Sequence, residues 1–427
     1  MNMPDNRLGR LASTVGILAL VLWIGSDILG RIVKGNMPFS DRFVDYRIIY
    51  DSTRIIIATG EYPASFPYPP TSVILFSPLT SAPFPLSAGL FLFLLGTAGL
   101  ACWLTIASLL RFNGNRGDYL ILPFAHITCA YFFQWDLRST NCNLLYLLLL
   151  LLAVRSLHRQ AGAISGFWLA LSISFKLYSL PLLAYFVWRG ERRAAASCVG
   201  WLAFLWIVLP TFVFGPSRVI SVYESWLGNL KRATTEIDIH HHPILISLEL
   251  AGATLAGDWG QTALPWAGKI VWGVIFVFGW RVAAKRVFRK DDAFGLLVDV
   301  SIFSLAVVAV SPYLEPYPAV PFAIPAALLA WTIADSQQSR RLRFVAFLVF
   351  VATWFVMRIP IDWYAKGLLV NVKLALGVVG VIWISSVRKP HVSDSSKPIE
   401  IERKGRLARF ESFSFSKVLK LFRSNNS

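Results

Sequence analysis

Long apolar runs, separated by short clusters of arginine and lysine, recur along almost the whole chain. They lie at about 11–30, 86–110, 118–133, 143–154, 161–175, 177–188, 197–214, 268–284, 295–311, 318–334, 344–358 and 368–386. Many approach the roughly 20 residues that carry a helix across a bilayer. The pattern predicts an all-α polytopic membrane protein with a bundle of about 10–12 transmembrane helices. The runs 161–175 and 177–188 are short and meet around Lys176, which predicts a helical pair or a broken segment in place of two full crossings. Segment 71–85 is apolar but holds Pro78, Pro83 and Pro85. It predicts a re-entrant or interfacial stretch leading into the next span, not a regular helix. The run from Leu11 to Leu29 is too long for a signal-peptide core and no small-residue cleavage site follows it, so it reads as a retained first span.

The polar positions set the direction of the chain. With the N-terminus in the cytoplasm, 27 of the 41 basic residues fall on that side, as the positive-inside rule requires. Both termini are then cytoplasmic, the membrane is a bacterial inner (plasma) membrane, and the two long polar loops, 31–71 and 215–267, face outward. The tail, 387–427, is polar and basic. Within its segment 413–424, Phe415, Val418, Leu419 and Phe422 recur at helical spacing beside Lys417, Lys420 and Arg423. It reads as a helix on anionic inner-leaflet lipid or as a disordered basic tail.

Composition agrees with the membrane reading. Hydrophobic residues make up 56% of the 427 and charged residues 15%, against roughly 25% charged in soluble domains. The net charge of +17 is dispersed in short clusters between apolar runs, so it does not form a nucleic-acid surface. Cys102, Cys129, Cys142 and Cys198 lie in or beside apolar runs without metal-ligand spacing. In His240-His241-His242 neighbouring side chains project to opposite sides, so the run reads as a solvated loop. The sequence indicates no metal site and no cofactor, and nothing in it points to a divalent cation.

The first outward loop is richer than a connector needs to be. Over 38–70 it carries Asp41, Asp45 and Asp51, three arginines and seven aromatics, and it closes on a proline-rich run. Residues Val44 to Thr59 fit an amphipathic helix lying along the membrane, with Asp45, Ile48 and Ile49 on one face and Asp51 away from Asp45. Asp45 opens that helix, so it reads either as an N-terminal cap or as a functional acid. Asp41 and Asp51 read as solvated loop acids. Arg47 and Arg54 have the chemistry to meet a lipid phosphate. Lys176 interrupts an apolar stretch where a lysine costs about 2.5–3.5 kcal/mol at mid-helix. It either snorkels to the outer interface or contacts a phosphate. Arg138, in the turn QWDLRSTN, is a second phosphate candidate or a partner of Asp136.

Three blocks carry a family resemblance. The first is Asp45-Tyr46, Tyr50, Gly60-Glu61-Tyr62-Pro63 and Phe66-Pro67-Tyr68-Pro69-Pro70, running into SVILFSPL. The second holds Asn143, Ala161-Gly162, Gly166, Lys176, Tyr178 and Pro181; the third is Ser311-Pro312-Tyr313. In order and spacing, over roughly 40–335, they resemble glycosyltransferase family 87, the polyprenol-phosphate-mannose-type enzymes of the GT-C superfamily. Thr140-Asn141 stand where the family usually has Gly-Gln. Leu314-Glu315 stand where the late block usually continues with His or Asp.

The resemblance implies a GT-C-like catalytic domain over 1–386 with an interfacial helix in the first outward loop. It implies a hexosyl-, mannosyl-like transfer from a polyprenyl-phosphate sugar to a lipid or glycan acceptor at the outer face. Asp45 would then be the catalytic base, with Arg47, Tyr68, Arg138, Asn143, Lys176 and Glu315 as substrate contacts and Glu315 also the second acid. Two readings compete. A transporter or flippase of a lipid-linked saccharide should place ionisable residues at the centres of several spans, whereas here the acids gather in outward loops. A scaffold leaves the aromatic-rich first loop unexplained.

Overall fold

The apolar runs fold as helices, and no strand occurs among the described residues. The computed structural model describes residues 7–33, 43–63, 66–110, 121–235, 257, 266–267, 269–282, 293–310, 317–335, 338–356 and 363–387. Met1–Ser386 form one compact unit and the tail from Val387 a second; the predicted amphipathic segment 413–424 lies outside the described residues. In chain order the helices are α1 (Arg7–Val33), α2 (Val44–Thr59), α3 (Pro70–Thr80), α4 (Phe84–Leu110), α5 (Ile121–Ser139), α6 (Asn143–His158), α7 (Gly162–Phe175) and α8 (Leu180–Trp188). There follow α9 (Arg192–Phe214), α10 (Val219–Thr235), α11 (269–282), α12 (Ala293–Val310), α13 (Ala323–Ala334), α14 (Arg340–Val356) and α15 (Trp363–Val387). Among the described residues, α4 and α9 are long and apolar enough to cross a membrane, and several shorter apolar helices surround them.

The segment 71–85 departs from the expectation in its first part. Through Thr80 it is a regular helix, α3, despite Pro78, and a short turn at 81–83 then leads into α4. Pro70 sits in its first turn, where a missing N–H costs nothing. Pro78 falls in the last turns and leaves the Ile74 carbonyl without its backbone partner. The Ser77 hydroxyl donates to that carbonyl instead, at 2.8 Å. Pro210 does the same further along, where α9 loosens to a wider turn over 204–208. The carbonyls of Leu205 and Trp206, five and four residues back, accept from the hydroxyls of Thr71 and Tyr223. Each proline thus creates an acceptor that a neighbouring side chain uses.

The proline-rich stretch after α2 has no ladder of its own. Gly60 ends α2 in the left-handed conformation, at φ 82°, with its N–H on the Ile56 carbonyl. Beyond it the backbone is tied to α10: Ser225 Oγ accepts from Tyr62 N–H, Trp226 Nε1 donates to the Pro67 carbonyl, and Asn229 Nδ2 donates to the Phe66 carbonyl. The two loops that the charge pattern puts on one side therefore pack against each other.

Among the described residues, the most extensive helix packing is that of α7 on α9. Gly166 makes it possible, because a Cβ there would stand 2.4 Å from the Ala194 carbonyl oxygen and 2.6 Å from the Cys198 nitrogen. Backbone cannot yield as a side chain can. Gly166→Ala is expected to destabilise the protein by about 1–3 kcal/mol, read as a lower thermal midpoint. Gly200→Ala, on α9 with open space around it, should be neutral or slightly stabilising, as alanine is in a helix.

Candidate active site

The α2 helix spans Val44–Thr59 as its periodicity predicts, but Asp45 does not cap it. Phe43 occupies the cap position without a side-chain bond, and Asp45 lies within the first turn. The neighbouring Tyr46 fixes how the helix sits. Its ring is fully buried and stacks on Phe91 at 4.3 Å, and its hydroxyl meets the Ser87 hydroxyl of α4. Burial pushes the Tyr46 phenol above its ordinary range while the Ser87 bond pulls the other way, so it stays neutral. With Tyr46 locked against α4, the half-buried Asp45 side chain reaches the link between α5 and α6.

That link begins with a strained residue. Thr140 follows the last turn of α5 at φ 55°, and the N–H of Asn141 closes the turn on the Asp136 carbonyl at 3.1 Å. This is a helix terminus at which glycine is the ordinary choice; a β-branched residue in left-handed backbone costs about 1–2 kcal/mol. The turn delivers Asn141, Cys142 and Asn143 to one point. Lys176 arrives there from the break between α7 and α8, where its backbone is extended.

The contacts at that point form a chain. Asn141 Nδ2 donates to Asp45 Oδ2 at 2.9 Å. Lys176 Nζ donates to Asn141 Oδ1 at 2.8 Å and to Asn143 Oδ1 at 2.7 Å. Asn143 Nδ2 donates to Asp136 Oδ1 at 2.6 Å, and the Leu144 N–H donates to Asp136 Oδ2 at 3.0 Å. Tyr68 closes the cluster, its hydroxyl donating to Asn141 Oδ1 at 3.1 Å and its ring lying 5.4 Å from the ammonium; Tyr178 lies 5.7 Å from the ammonium on another side. Chemistry leaves one orientation for each amide. A carboxylate only accepts and an ammonium only donates, so both amide nitrogens face acids and both oxygens face Lys176.

Four candidates from the sequence therefore converge: Asp45, Tyr68, Asn143 and Lys176. Two do not. Arg47 is exposed, paired with Asp51 at 2.7 Å and set over the Phe84 ring. Arg138 is exposed near the end of α5, where its charge acts on Asp27 of α1. The supposed turn around it is helix, and residues two apart on a helix point about 200° apart, so Asp136 faces the cluster while Arg138 faces away. Glu315, Ser311-Pro312-Tyr313, Asp41 and His240-His241-His242 lie outside the described residues. No three His, Cys, Asp or Glu side chains gather to hold a metal ion among the described residues.

Asn141 and Asp136 are members that sequence reasoning missed. Asn141 stood out only as a departure from the family pattern, and Asp136 only as a neighbour of Arg138.

Two acids, two amides, a lysine and a tyrosine, at the meeting of α2, the link between α5 and α6 and a broken helix, suit transfer chemistry around an anionic leaving group. The model of glycosyltransferase family 87 matches residues 66–312. The chain belongs to that family. It is a glycosyltransferase, and Tyr68, Asp136, Asn141, Asn143 and Lys176 fall within the matched stretch while Asp45 precedes it. No curated protein matches the chain, and no solved structure does.

Asp136 is fully buried and serves as acceptor for two buried donors. In this family 87 enzyme Asp136→Leu should take the acceptor from one N–H of Asn143 Nδ2, whose other acceptor is Asn141 Oδ1, and from the Leu144 N–H. A loss of about 2–6 kcal/mol is expected, at about 1–3 kcal/mol for each of the two stranded N–H groups, read from denaturant or thermal unfolding of the purified protein. An unfolding curve identical to wild type would remove Asp136 from the account.

Proposed function

We propose that this family 87 glycosyltransferase moves a hexose of the mannose type from a polyprenyl-phosphate donor to a lipid or glycan acceptor at the outer face of a bacterial inner membrane. One observation carries the reading: Asp45 and Lys176, distant in the chain, share a single amide, Asn141. A base and a cation at that separation are what displacement of a sugar phosphate needs. The acceptor hydroxyl attacks the anomeric carbon and gives its proton to Asp45. The bond from that carbon to the phosphate oxygen breaks, and the charge left on polyprenyl phosphate is met by Lys176. Attack from the face opposite the leaving group inverts the anomeric centre.

The surroundings support the same reading. The wall beside Lys176 is aromatic, through Tyr68 and Tyr178, which suits stacking on a sugar ring. The multi-pass arrangement, with α2 and α10 at the outer interface, rests on the charge distribution and on the contact between the two long loops. It leaves a lipid-linked donor able to approach from the bilayer.

Incubation with radiolabelled polyprenyl-phosphate mannose, glucose and arabinose in turn identifies the donor. Asp45→Asn should insert and fold normally while losing roughly 10²–10⁴-fold in rate, the usual general-base contribution; Asp51→Asn, on the exposed side of α2, is the matched control. If the asparagine variant transfers sugar at near wild-type rate, Asp45 is not the base, and Glu315 becomes the acid to test.

Lys176 carries its own expectation. Lys176→Met should raise the apparent KM for donor lipid, and Lys176→Arg should largely preserve it, because a phosphate contact requires positive charge. Unchanged donor KM in the methionine variant would reduce Lys176 to a packing residue.

A further inference from the structure

We infer that Asn141 is a positioning residue that aims the Asp45 carboxylate and couples it to Lys176. This rests on the reading of Asp45 as base and goes beyond it by assigning a role to a residue that is not the family's usual choice.

The first support is bonding chemistry. The amide of Asn141 has one donor face and one acceptor face, and the two are used on opposite partners. Nδ2 faces Asp45 Oδ2 at 2.9 Å, whereas Oδ1 receives Lys176 Nζ at 2.8 Å, the Cys142 N–H at 2.8 Å, Tyr68 Oη at 3.1 Å and Asn143 Nδ2 at 3.1 Å. Four donors around one oxygen hold the amide against rotation. The Nδ2–H bonds are then fixed in space, and one of them pins the carboxylate. Asp45 itself sits on a half-buried turn of α2 that Tyr46 holds to α4, so the carboxylate is restrained from both ends.

The second support is the backbone. Thr140 and Asn141 are buried, and Thr140 is held in a conformation unfavourable for a β-branched residue. Strain of this kind persists where the surroundings over-determine it. Here the strained turn delivers the Asn141 amide to the gap between the acid and the lysine.

Asn141→Asp tests the contact between residues 141 and 45. It is isosteric and keeps an acceptor oxygen for Lys176, Tyr68 and the Cys142 N–H. It replaces the amide N–H that faces Asp45 by a carboxyl, so the two acids hold one proton between them and Asp45 is no longer open to the acceptor's. Donor KM should stay within about twofold of wild type while kcat falls about 10–100-fold, the scale of a misplaced catalytic group. Asn141→Leu, made alone and with Asp45→Asn, supplies a second arm. If Asn141 acts by aiming the base, leucine costs about 10–100-fold in the wild-type background and almost nothing once residue 45 is asparagine.

The inference is overturned if Asn141→Asp keeps wild-type kcat, or if the leucine substitution costs the same factor in both backgrounds, as a purely structural residue would. The failure is distinguishable from failure of the base reading. An inactive Asp45→Asn with a fully active Asn141→Asp removes only Asn141. An active Asp45→Asn removes the base itself.

Discussion

The ammonium of Lys176, held between two amide oxygens, is the interaction on which the site depends. A lysine at the junction of two apolar helices has to be compensated. Here a pair of asparagines meets it, each passing the interaction on to a carboxylate. The result is a row of alternating partners, Asp45, Asn141, Lys176, Asn143 and Asp136, in which every polar group has a complementary neighbour.

The rest of the fold delivers the members of that row. The break of α7 and α8 brings Lys176 in, and Ser72 of α3 reaches the Ser174 carbonyl just ahead of the break. The turn at Thr140 brings Asn141 and Asn143, and the stacking of Tyr46 on Phe91 brings Asp45. The prolines contribute indirectly. Carbonyls freed by Pro210 are taken by Thr71 and Tyr223, which join α9 to α3 and α10 on either side of the strap that carries Tyr68.

Local signals reveal as much of this as local physics dictates. The limits of α2, the glycine that ends it and the break at Lys176 follow from periodicity, cap chemistry and a charge inside an apolar run. The helical course of α3 was hidden because proline is read as a breaker, and only the tertiary environment shows that its orphaned carbonyl is satisfied. The α5 helix outlasts its apolar stretch, so Asp136 and Arg138 look like a polar turn in sequence although they point to opposite sides of one helix.

What the sequence by itself determined is the all-helical character, the richness of the first long loop and the isolation of one lysine among apolar residues; a chemical role for the first-loop acid is what the family resemblance implies. The first three rest on spacing and on the cost of charge among apolar neighbours, both of which a linear string records. The tertiary structure alone decided that Asn141 joins that acid to that lysine, that Asp136 anchors the far end, and that Arg47 and Arg138 turn away. A first-turn aspartate looks the same whether it serves a helix dipole or a distant amide. The partner that tells the two apart lies about 96 residues away, and a contact of that reach leaves no local trace.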